Sequence, residues 1–285
     1  MKKINSVFLV VCFLLSSCSS TGGNKTNPAH GDFHPSAFSD SSEEAMLGKK
    51  IHTQILSSFY PYTDPKVVSY INEIGSNLAL QAERKDLPYQ FTLLYDDKIY
   101  ATSAPGGYVY LTTGLVHFLD NESELAAVMA HEIGELQYHD PRLSRSKKIL
   151  DAVTKGGTTI GPAFGQIGAL AALGLVMMNA VAESHNGKKS PSDRILQADV
   201  KALHYMVAAG YDPQGLPDFL YKFLNAEKQI APYFYDYYQS RPINQERFQI
   251  IQNEFPKLPL EGKQFSTHRD VYQETTKGIR EIYKQ

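Results

Sequence analysis

The apolar positions of this 285-residue chain change period several times, and each change marks an element. From Glu43 to Phe59, Leu47, Ile51 and Ile55 fall four residues apart, one stripe of a helix. Asp64-Pro65 opens a second helix, proline suiting the first helical position, and Val67, Ile71, Ile74 and Leu78 form its inward face. Between Leu87 and Tyr95 the period drops to two: Tyr89, Phe91 and Leu93 alternate with Gln90 and Thr92, which predicts a strand. A second strand, Tyr108–Leu111, follows the Pro105-Gly106-Gly107 turn, and Gly114–Phe118 reads as a short helix. Asn121–Asp140 then reads as one long helix. Asn121 is a good N-cap, Glu124 completes a capping box, and Pro141 stops the run because the residue before a proline avoids the α region. Its apolar positions Leu125, Val128, Met129, Ile133 and Leu136 make one broad face. Ile195–Ala209 is a further core helix, closed by Gly210, and Leu216–Glu227, Gln245–Phe255 and Thr267–Tyr283 complete the set. The pattern is α+β and mostly helical, with a small sheet leading directly into one central helix.

The N-terminus follows another rule. Lys2 and Lys3 precede a short apolar run, Val7–Leu15, and small residues follow, the pattern of a signal peptide over residues 1–17. Leu15-Ser16-Ser17-Cys18 resembles a bacterial lipobox, so Cys18 is the expected lipidation site and membrane anchor. Ser19, rather than an aspartate, follows it, which by resemblance to Gram-negative sorting favours the outer membrane and a periplasmic, cell-envelope location. Residues 18–42 are rich in Ser, Gly, Asn and Pro and read as a flexible tether, leaving 43–285 as the folded domain. The two cysteines are Cys12 and Cys18, so neither a disulfide nor a zinc–thiolate site is expected. A net charge of −2 gives no reason to expect a nucleic-acid partner. Residues 156–182 form a Gly/Ala-rich stretch, read as a buried or membrane-facing helix. The basic residues before it, Arg142, Arg145, Lys147 and Lys148, suit a solvated face or anionic headgroups. The tyrosine-rich run Pro232–Tyr238 suits a core or a binding surface.

The chemistry concentrates in the central helix, at His131-Glu132-Ile133-Gly134-Glu135. This is the zinc-protease pattern HExxH with glutamate in its last place. Residues i and i+4 share a helix face, so two histidines there bind one zinc, and the glutamate between takes a proton from the metal-bound water. His131 is the candidate first ligand, Glu132 the candidate base and Glu135 a candidate carboxylate ligand. A solvated helix carrying a His131–Glu135 side-chain pair is the alternative.

Two longer stretches add context: APGGYVYLTTGLVHFLDNESELAAVMAHEIGE, and further on QADVKALHYMVAAGYDPQGL. Both resemble the zinc metallopeptidases that include the CAAX prenyl proteases and the HtpX heat-shock protease, metallopeptidase family forty-eight, in its periplasmic lipoprotein branch. The resemblance covers roughly residues 43–255 and implies an HExxH-type metallopeptidase fold, zinc as cofactor, and extended peptides or envelope proteins as partners. It also implies that Tyr108, Val109 and Tyr110 belong to a strand at a sheet edge, able to pair with a substrate, and that Asp199 supports the metal ligands.

The departures from the family pattern bear on function. Glu135 stands where the family has its second histidine. The family's third ligand is a glutamate four residues before the position of Asp199, and here that place holds Ile195. Arg241-Pro242 replaces a His-Pro dipeptide, and Tyr100 replaces an asparagine. His139, His185 and His204 are the remaining histidines considered as substitutes. The expectation is a lipid-anchored pseudopeptidase that binds peptides or envelope proteins. The alternatives are an active zinc endopeptidase using His131, Glu135 and a third ligand with Glu132 as base, and a structural lipoprotein that inherited the fold.

Overall fold

In this computed structural model the described residues are 41–138, 191–227 and 243–284. Two helices come first, α1 (Ser41–Ser58) and α2 (Pro65–Ala79). Asp64 caps α2 by accepting from the backbone N–H groups of Lys66 and Val67, and Pro65 takes the first turn as expected. Three strands follow: β1 (Gln90–Leu94), β2 (Ala101–Ala104) and β3 (Tyr108–Thr112). After them come α3 (Thr113–Phe118) and the central helix α4 (Glu122–Leu136). The chain continues with α5 (Pro191–Ala209), α6 (Gly215–Glu227) and α7 (Gln245–Glu254), and ends in α8 (Arg269–Thr275) and α9 (Lys277–Ile282). The fold is α+β and mostly helical, as the periodicities imply.

The sheet order is β1-β3-β2, with β1 parallel and β2 antiparallel to β3. This corrects one expectation. The strand carrying Tyr108, Val109 and Tyr110 is the middle strand, with its backbone groups committed on both sides, and it has no open edge for a substrate. The intervening strand β2 has the sequence Ala-Thr-Ser-Ala, with no large side chain to betray it. A hairpin through Gly106 (φ 79°) and Gly107 (φ 89°) joins β2 to β3, conformations that glycine adopts without steric cost. By alternation, Tyr108 and Tyr110 share one face of the sheet. There His52 of α1 stacks on Tyr108 with ring centroids 4.6 Å apart, and its Nδ1 lies 2.9 Å from the Tyr110 hydroxyl. The other face turns Phe91, Leu93, Val109 and Leu111 into the core, where the Phe91 ring presses on Gly75 of α2.

Helix α4 is the centre of the core. Every residue from Glu122 to Leu136 is buried, not one face of it, which removes the solvated-helix alternative. It packs against α5 most extensively, then α6, α2 and β2. Asn121 caps the helix as predicted, its Oδ1 accepting from Glu124 N–H at 3.0 Å, while the return bond of Glu124 Oε2 is taken from the N–H of Asp120, one residue before the cap, at 2.9 Å. The helix closes at Leu136, four residues before the predicted end. The Gln137 side chain bonds back to the Ile133 carbonyl and accepts from the backbone of Arg84, which turns the chain. The predicted C-terminal helix is also interrupted, at Thr276 (φ −91°, ψ 7°), whose N–H and hydroxyl both donate to the Tyr272 carbonyl. Among the described residues no helix is long and apolar enough to cross a membrane. Cys18 and the tether as far as residue 40, the basic segment, residues 156–182, the aromatic run and Arg241-Pro242 lie outside the described residues, while residues 41 and 42, read as the end of the tether, open α1.

Candidate functional site

The site is built where α4 crosses α5. The crossing is close because Gly134 faces Ala198: a Cβ added at Gly134 would stand 3.0 Å from the Ala198 carbonyl oxygen and 3.1 Å from its Cα. One turn of α4 before Gly134 stands His131, and next to Ala198 on α5 stands Asp199. His131 Nδ1 is 2.7 Å from Asp199 Oδ1. Both side chains are buried, Asp199 completely.

A third element completes the arrangement. Arg247, in the first turn of α7, is buried and donates to Asp199 twice, from Nε to Oδ2 at 2.7 Å and from Nη2 to Oδ1 at 2.7 Å. This fork places two parallel charge-assisted hydrogen bonds on one carboxylate. Burial alone would push the Asp199 carboxyl up, but Arg247 and His131 outweigh it and hold the group below its ordinary range. Burial pulls His131 down, and the charge and hydrogen bond of Asp199, with the Glu135 contact, reverse that and raise it. On its other side His131 Nε2 lies 3.5 Å from Glu135 Oε1, the outer limit of hydrogen bonding. The buried series therefore runs Arg247, Asp199, His131, Glu135, with alternating sign when His131 is protonated. Glu132 is fully buried beside it on α4.

Three of the predicted site residues thus converge: His131, Glu135 and Asp199. Tyr108, Val109 and Tyr110 do not join them as an exposed edge. Arg247 was not singled out from the sequence, although a signal exists. It lies midway between Ile243 and Ile251, four residues from each, and both are buried. A cation in the middle of an apolar stripe needs a buried partner.

The donor set can be tested against a catalytic zinc, which takes three protein ligands and a water. His131 Nε2 and a Glu135 carboxylate oxygen face each other, but Ile195, one turn before Asp199, offers only buried hydrocarbon where a third ligand is required. Asp199 is committed to Arg247 and His131. His204 is turned to Glu254, with Nε2 2.8 Å from Oε1, so it does not substitute, and His139 and His185 lie outside the described residues. Among the described residues no group of three or more His, Cys, Asp or Glu is arranged to hold a metal ion. The described residues do not fit a three-ligand zinc centre.

Comparison with known proteins places this geometry. The family model described as Peptidase family M48 matches residues 65–255, from α2 through the sheet, α4 and α5 to α7. The chain belongs to that peptidase family. Its relatives include the β-barrel assembly-enhancing protease of Escherichia coli (strain K12), 32% identical over 206 residues, covering 70% of this chain and 39% of the relative. The protein of the same name from Yersinia pestis is 29% identical over 197 residues, covering 66% of this chain and 39% of the relative. A putative β-barrel assembly-enhancing protease of Vibrio cholerae is 31% identical over 182 residues. The chain therefore spans about two fifths of the length of these curated relatives. Members of the family are zinc metallopeptidases.

Proposed function

We propose that this protein is a pseudopeptidase of the cell envelope: it keeps the metallopeptidase fold, binds extended peptides or envelope proteins, and does not cleave them. The observation that carries the reading is Ile195, a buried aliphatic side chain at the position where the family resemblance calls for a third ligand, together with a His131 already engaged by Asp199 and faced by Glu135. A bound zinc in this family supplies an acidified water for the Glu132 position. With one imidazole and one carboxylate among the described donors, Glu132 has no such water to act on. The lipobox at Leu15–Cys18 supports a lipid-anchored periplasmic protein, and the outer membrane is the membrane its Ser19 favours. The relatives' name supports outer-membrane β-barrel proteins, or the machinery that assembles them, as partners. Because β3 lies inside the sheet, peptide docking belongs to an edge strand, and β2 is the edge strand that packs along α4.

The test is metal content. Protein purified without added metal is analysed by mass spectrometry and incubated with casein. The expected result is far less than one zinc per chain and no chelator-sensitive cleavage, with stoichiometric zinc recovered when Glu135→His is combined with Ile195→Glu. One zinc per unmodified chain, with chelator-sensitive cleavage abolished by Glu132→Gln, overturns the reading in favour of an active endopeptidase. Intact mass of protein extracted from membranes tests the anchor, which requires a mature chain beginning at modified Cys18. Photocross-linking from Ser103 on β2 tests binding, and failure to trap any envelope protein there counts against it.

A further inference from the structure

We propose that Arg247 is the positioning residue of this site: it fixes Asp199, through Asp199 it fixes the orientation of His131, and so it holds α4 to α5 without a bridging ion. The last clause rests on the reading above; the rest stands on the geometry alone.

A carboxylate with no exposure, such as Asp199, is expensive to bury unless cations and hydrogen bonds surround it. Among the described residues two groups do so. His131 occupies Oδ1, and the Arg247 fork occupies both oxygens. The fork sets the plane of the carboxylate. With the plane set, the Oδ1 lone pair toward α4 has one direction, and His131 must present Nδ1–H along it. That leaves Nε2 pointing at Glu135. Without Arg247 the Asp199 carboxylate is free to rotate, and the 2.7 Å contact that orients the His131 ring is no longer held in one direction.

Arg247 is itself held from behind. Asn244 caps α7 by accepting from the Arg247 backbone N–H at 3.0 Å, which sets where the side chain starts. Ile243 and Ile251, four residues before and after it, are both buried. Replaced together with Asp199, Arg247 would give way to an apolar contact at no loss of stability, since buried ion pairs seldom stabilise more than apolar groups of equal volume; replaced alone, it strands a buried carboxylate. An arginine here therefore points to orientation, not stability, as its role. A lysine would supply charge without the two-toothed geometry.

The experiment uses the full mature chain with nitrogen-15 histidine. In the wild type one histidine should show a slowly exchanging proton bonded to Nδ1, assigned by its loss in His131→Gln. Arg247→Met should abolish that signal and lower the melting temperature by on the order of 10 °C. Arg247→Lys should restore part of the signal. Arg247→Met combined with Asp199→Leu should recover most of the melting temperature without the signal, which keeps the test readable if the single variant folds poorly. Glu44→Gln, which weakens a buried ion pair away from the site, is the control and should keep the signal. The proposal is overturned if Arg247→Met retains the Nδ1 proton, or if Glu44→Gln loses it equally. Zinc measured in the same samples separates the two ideas. A zinc-loaded wild type removes the pseudopeptidase reading, and the Nδ1 proton still decides the role of Arg247.

Discussion

Gly134 tests whether the α4–α5 crossing positions the site. Substituting alanine for a glycine inside a helix should stabilise it by about 1 kcal/mol through backbone entropy. The structure predicts the opposite sign. The added methyl would meet the Ala198 carbonyl oxygen at 3.0 Å, its Cα at 3.1 Å and its Cβ at 3.4 Å. The first two are backbone atoms in the interior of a 19-residue helix, so no side-chain tip can swing aside. The two helices must separate by a few tenths of an ångström, and overpacking of this kind costs roughly 1–3 kcal/mol. The net expectation for Gly134→Ala is a loss of about 1 kcal/mol once the helix propensity gain is subtracted. Gly134→Val, with two more carbons and an unfavourable β-branch, should lose roughly 3 kcal/mol or more. The separation falls beside Asp199, so the 2.7 Å contact to His131 should lengthen as stability drops. The chain has no tryptophan, so urea unfolding is followed by far-ultraviolet circular dichroism, with the His131 Nδ1 proton as the local reporter. A Gly134→Ala protein more stable than wild type, with that proton unchanged, would refute the claim that the crossing is tight enough to set the site.

Two further predictions concern the frame around the site. Glu44 of α1 accepts from Arg84 at 3.0 and 2.7 Å and from the Gly106 N–H at 3.1 Å, all buried, so it fastens α1 to the β2–β3 turn. Glu44→Ala should cost about 3 kcal/mol, the lower end for a broken buried pair because Asp86 and the Leu136 carbonyl still serve Arg84, and a urea-measured loss below about 1 kcal/mol would contradict it. Glu83 offers a pH test: burial pushes its carboxyl up, but hydrogen bonds from Lys201 and Tyr205 outweigh that and hold it below the ordinary glutamate value. Its contribution to stability is then complete above the unfolded value and lost as pH falls through the lower folded value, so Glu83→Gln should flatten the acid limb of the stability curve, and an unchanged limb would sink the assignment.

The sequence shows most of the helices and little of what joins them, for physical reasons that differ from place to place. The stripes Leu47–Ile51–Ile55 and Val67–Ile71–Ile74–Leu78 are legible because each helix packs one face, and those residues are the buried ones. Helix α4 hides its burial: Glu122, Glu124, Glu132 and Glu135 look like a wet face, yet all are in the interior, Glu122 on the Tyr70 hydroxyl and Glu124 on the Asn121 side-chain amide and the Asp120 N–H. Strand β2 is silent because Ala-Thr-Ser-Ala owes its strand state to β3 and α4, not to its own side chains. Missing it put Tyr108–Leu111 at an edge, when the chain in fact returns into the middle of the sheet. The meeting of His131 with Asp199, 68 residues apart, was legible only through the resemblance to a peptidase family, and Arg247 only through the rule that a cation in an apolar stripe needs a partner. These cases divide the site in two. Glu135 stands on the motif helix with His131 and was legible from it, while Asp199 is held with Arg247 in a buried network that spans α5 and α7 and that neither helix's own pattern advertises. A buried carboxylate–guanidinium pair seldom stabilises more than apolar groups of equal volume, yet replacing either partner alone strands the other charge, so Asp199 and Arg247 are expected to be kept or lost as a unit. Both are present and doubly bonded, which ties the geometry of the α4–α5 crossing to the pair as a unit and not to either residue alone.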